Sequence, residues 1–257
     1  MKTRSLAVAL AVAGAVAAGY ERGLKPWQER WGATDEETAL ALPGDEFVEE
    51  PAAQLTRAIT IDATREQVWP WIVQLGANRG GFYTYDRLEN LFGLDIHSAD
   101  DIVDEWQELA VGDAVYADRA RTGGWYVVDL RPHEALALKV GDLTAGRPIR
   151  RDEKLKWEFL WTFALRDTPA GGTRLLVRER VAFDSVITKA LMAPVGLASF
   201  VMTRGMLLGI KSRVERRRSS SDRQRAAGLE QGLEVGEDPV PTAPALLHVR
   251  RPPTQPP

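Results

Sequence analysis

Cysteine is absent from the 257-residue chain, which excludes disulfides, zinc–thiolate sites, iron–sulfur clusters and a cysteine nucleophile. Histidine is scarce: His97, His133 and His248 stand far apart in sequence, which argues against a histidine-rich metal site. An excess of positive charge is also missing. The 33 Lys and Arg face 36 Asp and Glu, a net charge of −3, so no global basic field favours nucleic acid. No G-x-S-x-G, G-x-x-x-x-G-K-[ST] or G-x-G-x-x-G occurs, so nucleophile-elbow, P-loop and dinucleotide signatures are lacking. No metal and no cofactor are expected. What is present is ordinary globular composition, with 44% hydrophobic and 27% charged residues. Eight Trp fall between positions 27 and 161.

The first residues combine Lys2 and Arg4 with sixteen uncharged residues, Ser5 to Tyr20. This pattern predicts an N-terminal apolar helix, read either as a signal peptide cleaved near Ala15-Val16-Ala17 or as a retained membrane anchor. The pair Trp27/Trp31 with Arg22 and Lys25 suits an interfacial belt, which favours retention. Residues 1–24 are therefore assigned to the anchor or signal. Charge is nearly balanced across the run, because Arg22, Lys25 and Arg30 oppose Lys2 and Arg4. The order of cations, apolar run and small residues places the domain outside the cytoplasm, with secretion after cleavage or a cytoplasmic-facing domain as alternatives.

Thr34-Asp35-Glu36-Glu37 is a capping box and predicts a short helix through Leu40, stopped by Pro43-Gly44. Residues 33–56 hold seven acids and no base, so residues 25–54 read as a short helix and a solvated acidic connector. A strand is expected over Leu55–Asp62, with Leu55, Arg57, Ile59 and Ile61 on one side. Thr64-x-x-Gln67 opens a helix through Leu75, with Pro70 inside it and Gly76 as its stop. A second helix is expected over Thr84–Phe92. The period then changes to two, predicting strands at Ala114–Ala117, Trp125–Leu130, Ala135–Val140, Leu155–Leu165 and Arg174–Phe183. A long helix comes next over Ser185–Arg217, interrupted or offset near Pro194-Val195-Gly196, its middle uncharged from Ala190 to Thr203 and read as core-packing or membrane-contacting. Seven Pro after Ser219 indicate a disordered tail over 218–257.

The order is strand, two short helices, antiparallel meander and long helix. It defines an α+β fold, a curved antiparallel sheet wrapped on a long C-terminal helix, with a space between them able to hold a ligand. The sequence resembles bacterial proteins of the SRPBCC superfamily, the START-like or helix-grip proteins, some of them labelled polyketide cyclases/dehydrases. The resemblance covers residues 27–217. It rests on Trp31-Gly32-Ala33-Thr34-Asp35-Glu36-Glu37, Leu42-Pro43-Gly44-Asp45-Glu46, Val68-Trp69-Pro70-Trp71, Gly80 through Asn90, Arg174 through Arg180 and Met206 through Lys211. It implies a hydrophobic or amphipathic ligand and a helix-grip domain over 55–217. It brings no agreed catalytic residue.

Candidate ligand-binding residues are Trp71, Tyr83, Tyr85, Glu89, Trp157, Phe159, Trp161 and Glu179. Alternation puts Trp157, Phe159 and Trp161 on one face of their strand, predicted to point into a cavity or onto the C-terminal helix. Tyr83, Tyr85, Asp86, Glu89 and Asn90 form a polar–aromatic block, read either as a staple tying the short helices to the sheet and Arg79 or as a ligand contact. His97 lies in a loop and reads as a hydrogen-bonding group or a catalytic one. Glu179 shares the apolar face of Leu175, Val177, Val181 and Phe183, while Arg174, Arg178 and Arg180 take the other. A buried carboxylate must be paired, protonated or hydrated; an ion pair, a cavity-facing group and an outward bulge all remain open. Gly76 to Gly81 reads as a helix cap and turn before a phosphate cradle. Two functions are implied. One is a carrier for a lipid, isoprenoid or polyketide-like molecule at a membrane. The other is a cyclase/dehydratase-type enzyme acting on a bound polyketide-like or aromatic substrate. A third reading uses the basic stretch Lys211–Arg225 to meet anionic lipid or a protein.

Overall fold

The computed structural model describes residues 14–15, 18–91, 93–141 and 157–234, with side chains except at 88–89, 189–195 and 226–234. Residues 1–218 form one compact unit and residues 219–257 a second. A π-helical turn, Tyr20–Leu24, leads into α1 (Lys25–Glu29). Helix α2 (Asp35–Ala39) opens on the predicted capping box, with Thr34 Oγ1 accepting from the Glu37 amide and the Glu37 carboxylate from the Thr34 amide. Strand β1 (Ala53–Ile61) precedes α3 (Arg65–Val73) and α4 (Asp86–Leu91). The meander comprises β2 (Ala114–Tyr116), β3 (Gly124–Arg131), β4 (Ala135–Val140), β5 (Trp157–Asp167) and β6 (Thr173–Phe183). Helix α5 runs Val186–Glu234, without the interruption expected near Pro194-Val195-Gly196.

The six strands make one antiparallel, curved sheet in the order β1-β6-β5-β4-β3-β2. The first strand therefore closes against the last, with Ile61 paired to Thr173 and Ala53 to Val181. Consecutive strands pair as hairpins, but β1 and β6 meet across more than a hundred residues. Their inner-face side chains, with α3 and the α5 residues Met206, Leu207, Ile210 and Val214, form the main core. Helix α3 tolerates Pro70 because it is short and its first turn is fixed by the Thr64/Gln67 box.

The outer face of the sheet is covered as well, and here the structure corrects the solvated-connector reading. Residues 33–49 lie on that face, with Leu42 packed among Ala58, Ala164 and Leu176, and Val48 among Ala137 and Leu160. This segment has no strand ladder, so its backbone carbonyls need other donors. The outward arginines of β6 supply them. Arg178 donates to the carbonyls of Glu37, Thr38 and Leu40, to Asp45 at 2.7 Å and to Thr56 Oγ1. Arg180 donates to the Val48 and Glu49 carbonyls, and Lys139 to that of Phe47. Gly44 turns the strap at φ +87, and a Cβ there would stand 2.6 Å from Cβ of Ala137; only glycine fits.

Two further expectations are corrected. Helix α4 begins at Asp86, two residues later than predicted, because Tyr83 takes a left-handed turn (φ 57) and Asp86 binds Ser98. Tyr85 thus precedes the helix. The tail expected to be disordered from 218 is helical through Glu234, since its prolines all lie beyond that residue and Ala226, Ala227, Leu229 and Glu230 favour helix. The predicted N-terminal apolar helix falls largely outside the described residues. Among the described residues, no helix is long and apolar enough to cross a membrane.

Candidate functional site

Alternation along β5 puts Trp157, Phe159, Trp161 and Phe163 on the inner face. Glu158 and Thr162 turn outward, where Glu158 pairs with Lys139 at 3.3 Å and Thr162 Oγ1 donates to the Pro43 carbonyl. Phe163 is fully buried, Trp161 nearly so, and Phe159 and Trp157 half-buried. Burial thus declines along one strand toward the end of the sheet where β6 finishes at Phe183 opposite Trp157. Trp125 of β3 and Phe82 complete the aromatic wall. The Trp125 ring lies 5.2 Å from that of Trp161, and Phe82 lies 6.0 Å from Trp125 and 6.2 Å from Trp161.

Among the described residues, polar atoms of this wall are left without partners. The indole Nε1 atoms of Trp125 and Trp161, like that of Trp71 in the core, are buried with no hydrogen-bond partner there. Each such donor costs about 1–3 kcal/mol relative to one that finds an acceptor, and buried donors in folded proteins are nearly always satisfied by protein, water or ligand.

Glu179 stands opposite Trp161 on β6, in the inward register that alternation predicts. The structure resolves its alternatives in favour of the ion pair. Arg57 of β1 donates to its carboxylate at 2.8 Å, and Thr203 Oγ1 of α5 at 2.6 Å. Ser199 Oγ bonds the second oxygen. Both charged residues are buried. Arg57 Nε also donates to the Gln28 carbonyl at 2.9 Å, its guanidinium carbon lies 5.6 Å from the Phe200 ring centre, and its Nη2 has no partner among the described residues. The cluster joins four elements: α1, β1, β6 and α5. Sequence reasoning missed Gln28, Ser199 and Thr203, which carry no local signal. It also left Arg57 unused, although its register with Ile59 and Ile61 placed it on the inner face.

The other candidates fall differently. Trp71 and Tyr83 are buried in the core, ring centres 5.7 Å apart. The Tyr83 hydroxyl accepts from Gln74 Nε2 at 2.9 Å, and burial pushes its phenol well above the ordinary range, so it stays protonated. Tyr85 is exposed, its ring against Gly205 of α5. The Glu89 side chain lies outside the described residues. Asp86 and Asn90 staple the loop at 96–98, Asp86 through Ser98 and Asn90 through both backbone groups of Ile96. Arg79 instead donates to the Trp106 and Glu108 carbonyls. His97 is exposed, 3.0 Å from Asp95. The structure therefore brings Phe159, Trp161 and Glu179 together, with Trp157 at their outer margin, and separates them from Tyr85 and His97. Among the described residues no three His, Asp or Glu side chains cluster as a metal site.

No family model matches the chain, and no curated protein does. Solved structures similar to it include a protein from Mesorhizobium loti, 15% identical, covering 64% of this chain and 98% of that one with a TM-score of 0.37. The Aha1 dimer from Colwellia psychrerythraea is 13% identical over 62% of this chain and 96% of that one, TM-score 0.35. DynU16, from the dynemicin biosynthetic locus, is 14% identical over 61% of this chain and 46% of its own, TM-score 0.34.

Proposed function

We propose that the chain is a helix-grip protein of the SRPBCC superfamily that binds a hydrophobic or amphipathic small molecule between the sheet and α5. The ligand class is lipid, isoprenoid or polyketide-like. The element order supports the family: a first strand, two short helices, a five-strand meander and a long helix on the inner face. The observation that carries the binding reading is the pair of buried, unbonded indole N–H groups of Trp125 and Trp161 in an aromatic wall. A bound molecule with an apolar body and a carbonyl, ether or hydroxyl oxygen would satisfy both the rings and their donors. The N-terminal apolar run holds the chain at a membrane, with the domain on the extracytoplasmic side. The enzyme alternative needs ionisable groups free to act on a substrate. Glu179 commits both carboxylate oxygens to Arg57, Ser199 and Thr203, which favours the carrier.

The test is extraction of the purified full chain and mass spectrometry of the molecules it releases. The expected result is an apolar, oxygen-bearing molecule retained by the parent protein. Trp161→Phe replaces the indole with a smaller phenyl ring, removing the N–H together with part of the ring system, so a stability loss of roughly 1–3 kcal/mol from the cavity is expected, while retention falls at least roughly tenfold, the equivalent of one hydrogen bond. A chain that releases nothing above the detergent blank counts against binding.

A further inference from the structure

Apolar residues gather on the surface where α1 meets the first turns of α5. Trp27 packs its ring 5.3 Å from that of Phe200, in edge-on contact, yet remains 50% exposed. Leu24, three residues earlier, shares its helix face and is exposed too. On α5, Leu197 and Val201 flank Phe200 at a spacing of four, both exposed, so the two helices present one continuous patch. At the start of α5, ten or more residues before Leu197, Val186 is 82% exposed and Ile187 73%. Between Val186 and Thr203, eighteen residues, the helix carries a single charge, Lys189.

Solvated helix faces are normally charged, and exposed Trp, Leu, Val and Ile in one patch mark a surface that meets something apolar. We propose that this face docks on a lipid bilayer, with α1 and the beginning of α5 lying in the headgroup–acyl boundary. Continuity identifies the occupant. The sixteen uncharged residues from Ser5 to Tyr20 lead directly into Leu24 and Trp27, so a membrane holding that run reaches the patch first. The rim has the composition of an interface. Trp27 is an interfacial residue, Arg22 is exposed, and Arg204 rests its guanidinium 5.2 Å from the Trp31 ring centre, leaving its charge at the boundary. The docking stands on this surface whether or not the inner face takes a ligand. Its geometry has one consequence for transport. Strand β6 ends at Phe183 and α5 begins at Val186, so the docked helix start adjoins the less buried end of the aromatic wall.

The chain has no native cysteine, so a single introduced thiol labels one site. Leu197→Cys and Val201→Cys, each in the full chain, are labelled with an environment-sensitive nitrobenzoxadiazole dye and reconstituted into phosphatidylcholine/phosphatidylglycerol vesicles. Val111→Cys, exposed and remote in sequence from both helices, is the reference. Docking predicts a blue shift and quenching by brominated lipids at 197 and 201, and water-like emission at 111. Water-like emission at both helix sites, with the protein co-floating with vesicles, overturns docking while leaving the N-terminal attachment standing. Shielding that depends on protein concentration and appears equally in detergent overturns it in favour of a second copy. Failure to co-float removes attachment and docking together. Circular dichroism matching the parent verifies folding of each variant, and two independent sites guard against one substitution misfolding. Ligand retention, measured separately by mass spectrometry, distinguishes failure of docking from failure of binding.

Discussion

Arg57 and Glu179 show what a buried charge does in this fold. Neither is solvated, and each is held by hydroxyl or carbonyl partners from another element. Removing one member leaves the other desolvated and unpaired, a loss of about 3–5 kcal/mol. Arg57→Met is therefore expected to lower the thermal midpoint by on the order of 10 °C, at 2–4 °C per kcal/mol for a unit of this size. The double variant Arg57→Met/Glu179→Leu removes both charges and recovers much of that loss, because apolar packing replaces the desolvation cost. Thermal melts of the two variants decide the matter. A single variant as stable as the parent would mean that the pair contributes no net stabilisation. The inward register of Glu179 was legible from strict alternation with Leu175, Val177 and Val181. Its partner was not, because the pairing of β1 with β6 spans 122 residues and leaves no local trace.

At the scale of elements, the meander was legible because period-two alternation is a property of contiguous residues. Strand β4 has the predicted bounds, Ala135–Val140, and β5 and β6 differ from theirs by at most two residues at either end. The strap at 33–49 was not legible, since irregular backbone has no period and its six acids suggested solvent. What holds it is mainly its carbonyls, reached by an arginine row whose outward face alternation did predict. Its acids matter at one point in particular. Arg174 binds the Glu37 carboxylate at 2.7 and 2.8 Å, and this contact holds the Glu37 carboxyl below its ordinary value of 4.5. A depressed carboxyl contributes stability that is complete above the unfolded value and is lost as pH falls through the folded one. The parent should thus exceed Glu37→Gln by roughly 1–2 kcal/mol at neutral pH, the worth of a charge-assisted hydrogen bond at a half-buried site. The gap narrows below pH 4.5 and closes once Glu37 is protonated. A gap in thermal midpoint that is constant from about pH 7 to about pH 3, scanned by calorimetry, would remove Glu37 ionisation as its source.

The whole molecule adds a question of side. The fold unit ends at Arg218, and the cations near the N-terminal apolar run are almost evenly divided, Lys2 and Arg4 before it against Arg22, Lys25 and Arg30 after it. The positive-inside rule counts such flanking charges within a few turns of the apolar segment and gives little weight to distant ones. The basic stretch Lys211–Arg225 is separated from the run by some 190 residues of sequence, the whole domain, so it exerts no comparable control over orientation. It is also partly neutralised within the unit, where Lys211 pairs with Glu215 and Arg213 with Asp100. With the flanks nearly tied, the proposed translocation of the domain C-terminal to the run rests on the order of cations, uncharged run and small residues. An alkaline phosphatase fused after Arg218, at the boundary of the fold unit, is expected to be active in a bacterial host. A cytoplasm-dependent fluorescent reporter at the same site is expected to stay dark. The opposite pair of results would put the Trp27/Val201 face on the cytoplasmic leaflet, whose anionic headgroups would then lie within reach of the same rim cations.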